Sequence, residues 1–173
     1  MGHKSMEAYQ EFVAARIGHL HRSAYLLTGG DVHLAEDLVQ ETLGRIFASW
    51  RRVSAADSPA AYAQTVLVRT HLSWRRLRRN RERPVPDGPG TAHDTGTDTA
   101  ADTDLRLTLM DALKRLPERD RAVIVLRYWE DLSAQETAAA LSMSAGAVRA
   151  HAMRALARLR DQLGDEHALF ANN

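Results

Sequence analysis

Two helices joined by a tight break are written into residues 132–163, LSAQETAAALSMSAGAVRAHAMRALARLRDQL. Ser133, followed three residues later by Glu136, is a capping box that starts the first helix. That helix ends near Leu141, Ser142 and Met143 make the turn, and Ser144 caps the second helix. Ala138, Ala139, Ala140, Ala145, Gly146 and Ala147 crowd the joint, so the two backbones can approach closely. This is the pattern of a helix-turn-helix. In the second helix Val148, Ala152, Ala155, Leu156, Leu159 and Leu163 share an apolar side at about 100° per residue. Gly146, Ala147, Arg149, Ala150, Met153 and Arg154 lie around the other side, and residues 144–160 hold four arginines and no acid. Small residues let a backbone come close to a major groove, and arginine reaches guanine with two hydrogen bonds. The plainer reading of this helix alone is a solvated amphipathic helix.

Composition agrees with an all-helical chain. Alanine, leucine and arginine dominate its 173 residues, with only five prolines and ten glycines. There is no cysteine, which excludes disulfides and thiolate metal sites and fits a reducing cytoplasm. No apolar run approaches a membrane span, and no signal-peptide core stands at the N-terminus. A cytoplasmic protein without membrane association is expected. The net charge of +1 hides a strong asymmetry: residues 75–83 hold six arginines and one glutamate, and residues 84–104 hold five aspartates and no lysine or arginine.

The remaining helices follow from periodicity. Tyr9, Phe12, Val13, Ile17, Leu20, Ala24 and Leu27 recur at helical spacing until Gly29-Gly30. Asp31 caps a second helix, to about Trp50, that carries Leu34, Leu38, Val39, Ile46 and Phe47. Ser58-Pro59 starts a third, with Tyr62, Val66, Leu67, Thr70, Trp74 and Leu77. These helices are expected to bury a common core, giving a first domain over residues 5–83. Residues 84–104 lack periodicity and read as a flexible acidic linker. Residues 105–163 are expected to form a second small helical domain, with an interruption at Pro117, and residues 164–173 a frayed tail.

In that order, specific strings meet a known family. LAEDLVQETLGRIFASW (residues 34–50) resembles the core-polymerase-binding helix in the second region of bacterial sigma factors. LKRLPERDRAVIVLRYWEDLSAQETAAALSMSAGAVRAHAMRALARLR (residues 113–160) resembles their fourth region. The chain resembles the extracytoplasmic-function class, and its GGD and SWRRLRR strings look like the actinobacterial SigE-type branch. The resemblance implies a protein that binds core RNA polymerase, through the β′ clamp and β flap, directs it to promoter DNA and promotes strand opening.

The resemblance also implies residue roles. Asp37, Gln40 and Glu41, with Leu38 and Arg45 nearby, match the family's clamp contacts; such acids can pair with a partner's arginines. Tyr62, Arg69, His71, Ser73, Trp74, Arg75, Arg76, Arg78 and Arg79 match the minus-ten reader, where aromatic side chains meet unstacked bases and cations hold the backbone. Many family members have asparagine where Arg69 stands, and asparagine or aspartate where Ser73 stands. For the minus-thirty-five element the matching positions are Arg149, Ala150, Met153 and Arg154, with Ser144, Gly146 and Ala147 at the helix start. Arg158, Arg127 and Gln135 are expected on phosphates. The acidic linker is expected to mimic nucleic-acid charge in the polymerase cleft, and an anti-sigma partner is usual in the family.

Two other classes are compatible with parts of the pattern. A stand-alone DNA-binding regulator would need only the helix-turn-helix, and the string at residues 34–50 argues against it. An enzyme would need a nucleophile with its base, a phosphate loop, or a metal cluster, and none is spelled out: His19 and His21 point to different helix sides, so neither catalysis, a metal nor a cofactor is expected.

Overall fold

A computed structural model describes the backbone of residues 3–81 and 100–170, and the side chains of residues 4–77 and 105–164. Among the described residues the fold is all-helical. Helix α1 (His3–Leu27) stops at Gly29 and Gly30, whose φ values of +68° and +90° are the left-handed region that glycine enters without steric cost. Asp31 then caps α2 (Val32–Ala48), its carboxylate accepting from the Leu34 amide at 2.9 Å. A short helix α3 (Trp50–Ser54) follows, where the sequence had suggested only the end of α2. Tyr9 and Phe12 of α1 pack on Trp50 with ring centroids 5.4 and 5.3 Å apart, fixing this corner. Ser58 accepts from the Ala61 amide at 3.2 Å and opens α4 (Pro59–Arg81), the helix that carries the arginine block.

The second half holds α5 (Ala100–Arg115), α6 (Glu118–Ile124) with a π-helical turn (Val125–Trp129), α7 (Ala134–Leu141) and α8 (Ala145–Phe170). The capping box of Ser133 and Glu136 is formed, and Ser142, in the left-handed region at φ 53°, ends α7. Two boundaries depart from expectation. Helix α5 begins at Ala100, inside the stretch read as linker; two alanines followed by Asp102 suit a first turn whose unpaired amides favour acid. Helix α8 continues to Phe170 through most of the stretch read as a frayed tail, since one glycine, Gly164, costs only about 1 kcal/mol and no proline follows it. The rest of the linker and residues 171–173 lie outside the described residues.

The two halves do not bury separate cores. Leu20, Leu27, Leu38, Ile46, Val53 and Leu67 from α1–α4 form one cluster with Ala122, Val125, Leu126 and Ala140 from α6, the π turn and α7. A second cluster joins α5, α6 and α8 through Met110, Leu113, Leu116, Ile124, Ala155 and Leu159, and Tyr25 and Leu26 of α1 pack against it. The third is the helix-turn-helix joint itself, Val123, Ala138, Val148 and Ala152. Alternation of small and branched residues there seats α7 on α8. The Gly29 turn also touches the second half: a Cβ at Gly29 would lie 2.9 Å from the Arg121 guanidinium and 3.2 Å from the Lys114 Cα.

Candidate nucleic-acid and polymerase interface

The outer side of α2 is set by what its inner side buries. Ala35, Leu38, Val39, Thr42 and Ile46 face the core, so Asp37, Gln40 and Arg45 are left exposed. Leu38 is wholly buried, and its part in any contact is to hold the helix rather than to touch a partner. Glu41 is half-buried and doubly engaged. It accepts from Arg45, one turn on, at 3.0 Å, and from the Trp74 indole of α4 at 2.6 Å. The carboxylate therefore ties α2 to α4, and Asp37 and Gln40 form the open part of the face.

On α4 the residues matched to the minus-ten reader separate into three groups. Tyr62 and Trp74 are partly buried against the core and hold the helix down. His71 is buried at 1% exposure, with neither ring nitrogen hydrogen-bonded. Burial, with the Arg121 and Arg75 charges adding to it against Glu118, pushes its pKa down to about 4. In this form His71 packs inside the fold as a neutral imidazole rather than facing outward, as the expectation for it required. Ser73 is half-buried and Arg76 exposed. Arg69 and Arg75 are spent on the other half of the chain. Arg69 donates to the Ala140 and Ala139 carbonyls, at 2.7 and 2.8 Å, and Arg75 pairs with Glu118. Arg78 and Arg79 lie on α4, with side chains outside the described residues.

On the helix-turn-helix, Ser144 accepts from the Ala147 amide at 3.1 Å and caps α8, which spends its hydroxyl on the helix start. Gly146 is exposed, and a Cβ there would meet only the Ser144 hydroxyl, at 3.9 Å. Arg149 is exposed and Met153 is 73% exposed, an unusual state for an apolar side chain. Ala150 lies between them, half-buried, and Gln135 on α7 is exposed. Arg154 leans on the His151 ring at 3.1 Å. His151 in turn meets Asp120 at 2.6 Å, and Arg158 reaches the same carboxylate at 3.4 Å. Arg158 is thus anchored to α6 on the flank of α8 and is not a free phosphate ligand here. Arg127 donates to the Leu132 carbonyl and lies 5.9 Å from the Tyr128 ring centroid, so it braces the turn before α7.

A further line of contacts, with no signature in residue spacing, joins the halves. Glu130 accepts from Ser23 and meets His19 at 2.8 Å, while the Trp129 indole donates to Ser23 at 3.1 Å and its rings stack on His19 at 6.0 Å. Partners more than one hundred residues apart carry no spacing signal, and neither do Asp120 with His151. Among the described residues no group of acids and histidines could hold a metal ion, and no helix is long and apolar enough to cross a membrane.

Comparison with known proteins decides the family. Residues 7–82 match the model described as Sigma-70 region 2, and residues 106–159 the one described as Sigma-70, region 4. The RNA polymerase sigma-E factor of Streptomyces avermitilis is 40% identical over 163 residues, covering 94% of this chain and 89% of that protein. This chain is an extracytoplasmic-function sigma factor. The sigma-E factor of Streptomyces coelicolor is 41% identical over 155 residues, 90% of this sigma factor and 85% of that one. Solved structures share the fold. Bartonella quintana RpoE, in complex with the anti-sigma factor NepR, superposes with a TM-score of 0.69 at 22% identity over 91% of this chain and 98% of that one. CnrH, in complex with the cytosolic domain of CnrY, gives 0.60 at 24% identity over 92% and 90%.

Proposed function

We propose that the sigma factor engages core RNA polymerase through the exposed edge of α2, the minus-ten element through α4 and the minus-thirty-five element through α8. As a sigma factor the chain directs RNA polymerase to promoters. The observation that carries the residue-level reading is the coexistence of two outward faces. One is Asp37 with Gln40 on α2; the other is Arg149 with Met153 on α8, both left open by helices that bury their opposite sides. Asp37 supplies a carboxylate for cations of the clamp, with Glu41 and Arg45 beside it. Arg149 and Arg154 flank Ala150 and Met153 and reach base edges, Arg154 by leaving His151. Arg76, Arg78 and Arg79 hold the displaced strand.

Residues 5–83 and 105–163 act as two domains in this reading, joined by the acidic segment. The packing described above is then a closed form. Arg69 and Arg75 are held by α7 and α6, so the minus-ten helix is covered by the domain that reads the other element. Reading both elements requires the halves to separate. The chain works in the cytoplasm, and it performs no bond chemistry itself, since nucleotide addition belongs to the polymerase. The two structural relatives are recorded with anti-sigma partners, and a partner of that kind suits a form in which the promoter-facing residues are masked.

The test is transcription in vitro with core polymerase and a library of promoters, with and without the sigma factor. Promoter-dependent RNA only in its presence is expected; RNA yields unaffected by its addition would overturn the reading.

A further inference from the structure

The closed form leaves an open cleft of about 930 Å³ between α4 on one side and α5, α6, α7 and α8 on the other. Among the described residues, eight arginine and lysine side chains line it against two carboxylates, Glu118 and Asp120. Both acids are already engaged, Glu118 by Arg75 and Asp120 by His151 and Arg158. Arg76 from one half, and Lys114 and Arg119 from the other, have no acid partner among the described residues. At the wall stands Arg121, 4% exposed, whose guanidinium donates to the Leu113 and Lys114 carbonyls at 3.3 and 3.2 Å while its Nε has no partner. Burial, then the Arg75 charge, lowers its pKa. A buried cation, incompletely bonded and set beside Arg75 with Glu118 to offset the two of them, is a costly arrangement that a further anion would relieve.

We infer that this cleft binds a small, multiply phosphorylated anion that bridges the two halves of the sigma factor. The volume lies in the range of small-ligand sites and does not admit a DNA duplex. Arginine forks match phosphoryl oxygens, and a formal excess of six positive charges among the described lining residues calls for several negative charges rather than one. Because the cations come from both halves, the anion stabilises the closed form by binding it and not the separated one. It therefore opposes promoter binding. The inference rests on the closed-form reading given under Proposed function, and it adds a ligand to it.

The probe is inorganic tripolyphosphate, titrated calorimetrically into the full chain at fixed ionic strength, with thermal unfolding followed in parallel. Saturable binding of one anion per chain and a raised Tm are expected. Lys114→Ala with Arg119→Ala should weaken binding at least about tenfold and leave affinity for a minus-thirty-five duplex unchanged, since neither residue is a promoter reader. The charge-retaining pair Lys114→Arg with Arg119→Lys should restore binding, which separates lost charge from lost fold. ATP displacing tripolyphosphate identifies a nucleotide's phosphate tail as the source; no displacement identifies a free phosphate chain. Binding that does not saturate, or that the alanine pair retains in full, is an adventitious ion only and overturns the site. Duplex binding is measured separately in every variant, so a failure of the promoter reading shows there, whatever the anion does.

Discussion

Arg69 of α4 closes the C-terminal end of α7 from the other half of the chain, with Nε 2.7 Å from the Ala140 carbonyl and Nη2 2.8 Å from that of Ala139. The last carbonyls of a helix lack intrahelical partners and carry the negative end of its dipole, so a cation placed there is doubly favoured. An asparagine at this position would be too short to serve as the same clasp.

Replacing Arg69 with alanine should therefore loosen the closed form. The side chain is exposed, and solvent competes for both bonds, so a loss of about 1 kcal/mol is expected, roughly a fivefold shift toward separated halves. Energy transfer between dyes on α2 and α8 reads this directly. A lower transfer efficiency with unchanged helix content is the expected result, and an unchanged efficiency would remove Arg69 from the clasp.

The polymerase contact has a cleaner probe in Asp37 than in Glu41. Asp37→Lys should abolish capture of core enzyme and leave Tm within about 1 °C, because an exposed surface substitution changes stability little. Glu41→Lys should also lose core enzyme, but with a fall in Tm, since it breaks the Trp74 bond that joins α2 to α4 and the bond to Arg45 within α2. Pull-down and thermal unfolding of the two variants side by side check both statements. Core binding by Asp37→Lys at wild-type strength would place the contact elsewhere.

The sequence disclosed what is local. The capping box at Ser133, the glycine stop at Gly29 and the serine start at Ser58 depend on neighbours within four residues, and each forms as read. Helix faces were equally legible, so Arg149 and Met153 emerge exposed and Val148 and Ala155 buried. What periodicity does not encode is which apolar face meets which. Ala122, Val125 and Leu126 lie in the stretch expected to form a second domain and instead complete the core of the first. His71, Arg69 and Arg158 each sit at a position that a family match assigns to DNA, and each is claimed by a partner far along the chain or by burial. Long-range pairs of single charges leave no pattern in one sequence.

On α8 the arginines should divide by their surroundings. Arg149 and Arg154 lie about 140° apart around the axis, with Ala150 and Met153 between them. Arg149→Ala is expected to cost about 1–3 kcal/mol at the cognate minus-thirty-five site and to relax preference at one base pair. Arg158→Ala should leave the sequence preference intact and lower stability instead, because Asp120, nearly buried, then keeps only His151. A binding selection on randomised duplexes, read beside urea unfolding, distinguishes these outcomes. A changed preference for Arg158→Ala with none for Arg149→Ala would mean that the helix presents its opposite flank to DNA.

His71 makes stability fall with acidity. Its folded pKa is about 4, against about 6.5 for an unperturbed imidazole, so the unfolded chain takes up its proton first. The stabilisation from keeping this ring neutral is complete above pH 6.5 and is lost progressively as pH falls from there toward 4. At pH 4.5 the loss attributable to this one group should be on the order of 2–3 kcal/mol. His71→Gln, similar in size and without a titrating proton, removes the dependence while keeping a polar side chain in the same place. Urea unfolding of both proteins at pH 7, 5.5 and 4.5 should show curves that converge in acid, with the wild type losing more. Parallel losses in the two proteins would mean that the ring takes up its proton while folded. The Glu118 carboxylate, which opposes Arg121 and Arg75 around it, would then be the group that accommodates the charge.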